Sequence, residues 1–114
     1  MTSVKKIGQR DRGDWGGLLL AGKSTNNQGP NIQMEGFNNI SFNNQLAKHG
    51  GINDNDNSGS ISYLRIEFGG YAFEPNKEIN GLTFCSVGKG TSIDNVQVSY
   101  SGDDSYEWFG GTVN

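Results

Sequence analysis

The chain has 114 residues, enough for one domain, and its 9 Lys and Arg against 12 Asp and Glu leave a formal charge of −3. Its basic residues gather only at Lys5-Lys6 and Arg10/Arg12, so a nucleic-acid partner has no electrostatic footprint. No apolar run nears the ~20 residues that cross a bilayer, the single Cys85 excludes an internal disulfide, and the 18 glycines and many asparagines describe a turn-rich, folded all-β chain with a thin core.

Residues 1–12 carry no periodic pattern and are expected to be irregular. From Trp15 onward one six-residue template recurs: apolar, any, any, apolar, any, apolar. Its first instance is Trp15/Leu18/Leu20. The run Leu18-Leu19-Leu20-Ala21-Gly22 is too short, and wrongly flanked, to be a signal peptide. Residues 26–30 read as an excursion, and Phe37/Ile40/Phe42 as the second instance. Residues 44–49 offer the best helical candidate, but it is short and runs into Gly50-Gly51. His49, the one histidine, is expected in a loop.

A second excursion spans 50–59, then Ile61/Leu64/Ile66 repeats the template. A third spans 73–77, followed by Ile79/Leu82/Phe84, Ile93/Val96/Val98 and a defective final copy, Trp108/Gly111/Val113. Alternate strand residues face opposite sides, so the last two apolar positions of each unit share a face. The first lies three residues earlier and needs a bend to join them. Gly or Asn precedes the middle apolar residue at Gly17, Asn39, Gly81, Asn95 and Gly110, with Tyr63 as the exception. Successive units read in the same sense, and such a unit buries its apolar face only by stacking. The expected architecture is an all-β, right-handed parallel β-helix, a solenoid of about five to six coils with uncapped ends. The position between the last two apolar residues (Leu19, Ser41, Arg65, Thr83, Gln97, Thr112) is expected to form a polar, solvated outer face.

Candidate sites are sparse. Asp54, Asp56 and Ser58 set oxygen ligands at alternate positions, as a calcium loop does, but Arg65 stands where the bidentate Glu belongs. An Asx-rich turn is the plainer reading, and calcium is the one cofactor the sequence leaves open. Tyr63 and Tyr106 are expected to be exposed and are candidates for glycan stacking, whereas Trp15 and Trp108 fall on inward positions. Gly88-Lys89-Gly90 lacks the spacing of a phosphate-binding loop. Asp103, Asp104 and Glu107 are weak candidates for acid–base chemistry. Their stretch is also strong turn chemistry; bracing a bend is the expected role, with a metal-binding corner as the next alternative. Cys85 is expected to be partly covered and inert.

The stretches GDWGGLLLAGKS, SGSISYLRIEFGGYAFEPNKEINGLTF and VQVSYSGDDSYEWFGGTVN resemble the secreted, surface-associated β-helix proteins of Bacteroidota, over residues 13–114. Members of that group are longer and frequently carry a type IX secretion tail. The resemblance therefore implies an internal fragment of a secreted or cell-surface parent, and implies no activity. The expected function is a non-catalytic structural or binding module presenting a rigid polar face. Carbohydrate-active chemistry of the lyase or hydrolase type, and self-assembly through uncapped coil ends, are the alternatives.

Overall fold

A computed structural model describes residues 1–37, 47–75 and 77–114. Among the described residues nine strands follow one another: β1 Leu18–Ala21, β2 Ile32–Gln33, β3 Lys48–His49, β4 Ser60–Glu67, β5 Ala72–Glu74, β6 Lys77–Glu78, β7 Leu82–Val87, β8 Ser92–Ser99 and β9 Tyr106–Gly111. Two parallel sheets carry the fold. One has the order β1-β7-β9 and the other pairs β4 with β8. The chain alternates between them, from β1 to β4, then β7 to β8, then β9.

The apolar template is one face of a lap rather than a whole lap. Ile61, Leu64 and Ile66 pair in register with Ile93, Val96 and Val98 in one sheet, while Leu18 and Leu20 pair with Leu82 and Phe84 in the other. Each lap thus uses the template twice, and among the described residues the strands stack at most three deep rather than the five to six coils expected. Leu18 pairs with Leu82 and Leu82 with Tyr106, so the first lap is more than twice as long as the second. The extra length lies in two excursions, each with a short antiparallel pair, β2–β3 and β5–β6. The instance Phe37/Ile40/Phe42, with Asn39 and Ser41, lies outside the described residues after Phe37, as does the first half of the helical candidate; its last two residues form β3.

The bend inside each unit is real. Tyr63 and Asn95 occupy stacked positions in β4 and β8, and both take left-handed backbone, φ 53 and φ 49. One left-handed residue shifts the pleat, so that Ile61 and Leu64, three apart, both turn inward. Asn tolerates that conformation and Tyr does so at a cost.

Ile66, Leu82, Phe84 and Val87 are buried at the centre of the interior, and Trp15, Leu18, Leu20, Leu64, Ile93, Val96, Val98, Tyr106 and Val113 pack around them. Trp15 Nε1 donates to the Glu67 carbonyl at 2.8 Å. The final template copy is out of register: Tyr106 aligns with Leu82, and Trp108 with Phe84. Trp108 stacks on Phe84 with ring centroids 5.2 Å apart, yet is 55% exposed because its strand is the last of the sheet. The opposite end is not bare. The Met1 ammonium donates to the Arg65 carbonyl, and Glu67 N donates to the Met1 carbonyl, so the amino terminus lies along the free edge of β4. Residues 1–12 contain no strand but are anchored, with Ser3 and Lys5 donating to the Asp14 carboxylate at 2.5 Å each.

Candidate functional site

All six residues of β7 are buried. Thr83 and Cys85 face outward from the interior, and solvation of the first was expected, but Thr83 is 2% exposed. The cover comes from the first excursion, which leaves the lap after Ala21 and lies back over the outside of β7 and β9, together with Glu78, Ile79 and Asn80. Ser86, in left-handed backbone at φ 50, is its anchor. Asn26 Nδ2 donates to Ser86 Oγ at 2.8 Å, and His49 Nδ1 hydrogen-bonds the same oxygen at 2.9 Å. His49 is therefore a buried strand residue, and burial holds its imidazole below the ordinary range, in the neutral form. Asn26 Oδ1 accepts from the amides of Gln28 and Gly29, which turns the chain toward β2. Gln33 Nε2 donates to the Ala47 carbonyl at 3.1 Å and holds β2 against the approach to β3.

Between this arm and β9 lies a cleft of about 640 Å³. Asn26, Asn27, Gln28, Ile32, Gln33, Glu35 and His49 line its arm side, and Trp108, Phe109 and Gly110 its sheet side. Asn27, Gln28, Glu35 and Phe109 thus line one cavity, while the Asn26 and Gln33 amides are engaged in holding the arm and the Trp108 ring stacks on Phe84. Gly110 is required there: with φ 70, a Cβ would stand 2.4 Å from Asn26 Cβ. Glu35 and Phe109 continue into a small recess of about 10 Å³, whose other walls are Leu19, Glu78, Ile79, Asn80, Thr83, Cys85 and Glu107.

Glu107 projects from β9 into this recess, beside Thr83 in register, and Asn80 Nδ2 donates to its carboxylate. Burial raises the Glu107 carboxyl above its ordinary value against the opposing Asn80 bond, and the charges of Glu35, Asp103 and Asp104 raise it further. Asp103 and Asp104 themselves sit exposed on the corner before β9. The Asp104 carbonyl, which accepts from Gly81 N at 2.9 Å, braces the bend. The closing acids thus divide: two on a corner, one inside. Cys85, beside them, is 1% exposed, and burial pushes its thiol up to about 12.

The other candidates sit elsewhere. Asp54 Oδ1 accepts from Ser24 Oγ at 2.7 Å, Thr25 N at 3.0 Å and Thr25 Oγ1 at 2.7 Å. Its carbonyl accepts from Lys89 N and Thr112 Oγ1. These bonds, those of Thr25 foremost, hold its carboxyl down at about 2. Asp56 Oδ2 accepts from Ser58 Oγ at 3.1 Å. Among the described residues, no group of three or more His, Cys, Asp or Glu is placed to hold a metal ion. Tyr63 is 84% exposed on β4. Tyr106 is not exposed as expected: it lies on the inner side of β9, packs against the core and donates to the Val96 carbonyl at 2.7 Å. The two tyrosines do not form a shared platform.

Parallel strands stack in register in two sheets, and an inserted arm covers the outside of one of them. The model of the pectate-lyase like beta helix domain matches residues 1–114. The chain belongs to that family. No curated protein and no solved structure matches it. Within the pectate-lyase-like β-helix frame, the cleft depends on Asn26, Asn27 and Gln28, which the sequence reading placed in an excursion, and on Gln33 and Glu35, which it did not single out. The available signal was the density of Asn and Gln in the long first excursion.

Proposed function

We propose that this β-helix is a non-catalytic glycan-binding module of a secreted or cell-surface protein, its laps wound right-handedly as parallel crossovers are. The observation that carries the reading is the cleft with Asn27 and Gln28 on one wall and Phe109 on the other. Side-chain amides donate and accept at once, as vicinal hydroxyls require. Aromatic rings give the apolar face of a sugar a flat surface. Family membership supports carbohydrate as the ligand class, and the likeness to surface proteins supports the compartment. Acid-catalysed glycoside cleavage uses two carboxylates flanking one bond, whereas Glu35 is the one acid on the described cleft walls.

Affinity electrophoresis through gels cast with different polysaccharides tests the proposal. The protein should be retarded by at least one of them with no new reducing ends or unsaturated products. Gln28→Ala and Phe109→Ala should each weaken retardation while the fold persists. Product formation would replace binding with catalysis, and free migration in every gel would remove the glycan reading.

Self-association is a second reading, favoured by one observation. At the β9 end, Phe84, Ile93, Val96, Tyr106 and Trp108, with Asp94 and Asn95, line an open hollow of about 290 Å³. An edge strand with apolar neighbours invites pairing. Light scattering should then show mass rising with concentration, and a constant monomer mass would dismiss it.

A further inference from the structure

The recess under the cleft is a built feature. Leu19, Thr83 and Glu107 stand side by side on the outer face of β1, β7 and β9, in cross-strand register. Glu35, Glu78 and Asn80 close over them. Thr83 Oγ1 lies in this recess, buried, with no hydrogen-bond partner among the described residues. A buried hydroxyl without a partner is unfavourable, so its place among the recess walls marks a position for a donor. The space, about 10 Å³, admits one group the size of a water molecule.

The local charge is of one sign. Three carboxylates face the recess, none of its described walls or those of the cleft is Lys or Arg, and His49 is held neutral. The stretch 38–46 that joins β2 to β3 contains no charged residue. A cleft with acidic walls concentrates cations and repels anions.

We infer that the recess takes the ammonium group of an amino sugar, so that the polysaccharide in the cleft carries free hexosamine amines rather than uronic acids. An ammonium is water-sized, bears one positive charge and offers three donors. Those donors match Glu107, a second carboxylate and the unpaired Thr83 hydroxyl. An acetylated amine has no charge and exceeds the recess, and a carboxylate adds repulsion. A bare cation fits less well, since calcium needs six or more oxygens converging at about 2.4 Å and no three acids here converge so.

The inference rests on the glycan reading, and calorimetric titration with three oligosaccharides of equal length separates the two. The probes are tetramers of glucosamine, N-acetylglucosamine and galacturonic acid. The glucosamine tetramer should bind at least about tenfold more tightly than the acetylated one, the worth of a charge-assisted hydrogen bond, and the galacturonate least. Glu107→Gln and the isosteric Thr83→Val should each narrow that gap without lowering affinity for the acetylated tetramer. If the acetylated or uronic tetramer binds as tightly as the amine, the inference fails and the glycan reading stands. If the gap survives both substitutions in folded protein, the recess is not the amine site. If none of the three binds and no gel retards the protein, both fail.

Discussion

Replacing Leu82 by Ala tests whether the two sheets share one interior. Leu82 is 0% exposed, in the central strand of the three-stranded sheet, flanked in register by Leu18 and Tyr106 and packed with Ile66, Phe84 and Val87. The truncated site cannot collapse easily, because hydrogen bonds fix the backbone on both sides: Leu18 N donates to Gly81 O, and Leu82 N to Ser105 O, at 3.0 Å each. The cost therefore falls in the middle of the Leu→Ala range or above, about 3–4 kcal/mol. A chain of this size has roughly 5–15 kcal/mol in all, and the loss corresponds to a Tm lower by roughly 12–17 °C. Urea titration followed by tryptophan fluorescence measures it, with Ile52→Ala as the control, since Ile52 is 90% exposed. A loss below about 1 kcal/mol at unchanged m-value, or one no larger than the control, would refute a common core centred on β7.

Asp54→Asn should lower Tm at neutral pH and flatten its fall in acid. The Asp54 carboxyl is lowered from 3.8 to about 2, so its stabilising contribution is present above the ordinary carboxylate range and lost as pH falls through about 2; part of the acid limb should remain, because Asp14, held down foremost by Lys5, behaves alike. Glu107→Gln has the opposite sign. Folding raises this carboxyl, so its ionisation opposes folding as pH rises, and the variant should melt higher than the parent at neutral pH and converge with it in acid. Tyr63→Asn should be neutral or stabilising by up to about 1 kcal/mol, because the side chain is exposed and φ is 53; a clear loss on thermal melting would show that the ring has a partner.

Same-sense strand stacking was legible because Ile61/Leu64/Ile66 and Ile93/Val96/Val98 repeat one pattern at positions that do pair. The number of laps was not, because both sheets of a lap carry that pattern and nothing local distinguishes them. The last register was misread for a physical reason. Tyr106 takes the place of a Leu by passing its hydroxyl to the Val96 carbonyl, which a purely apolar template does not count. The cleft was hidden more deeply. Thr83 and Cys85 alternate with Leu82 and Phe84 as in any half-solvated strand, and the arm that covers them departs some sixty residues earlier, at Ala21. Only the coordinates unite Asn26, His49 and Ser86, or set Glu107 beside Thr83.

The Asp54 corner also changes how the array comes apart. Its carboxylate binds Ser24 and Thr25 of the first lap, while its carbonyl binds Thr112 beyond β9; Gly111 N donates to Thr25 O at 2.9 Å. The first turn thus clasps the third across the middle one. Repeat arrays linked only to their neighbours can fray from either tip. Here a latch joins the tips, so opening the last turn also loosens the first, and the chain should come undone in one step like a buckled strap.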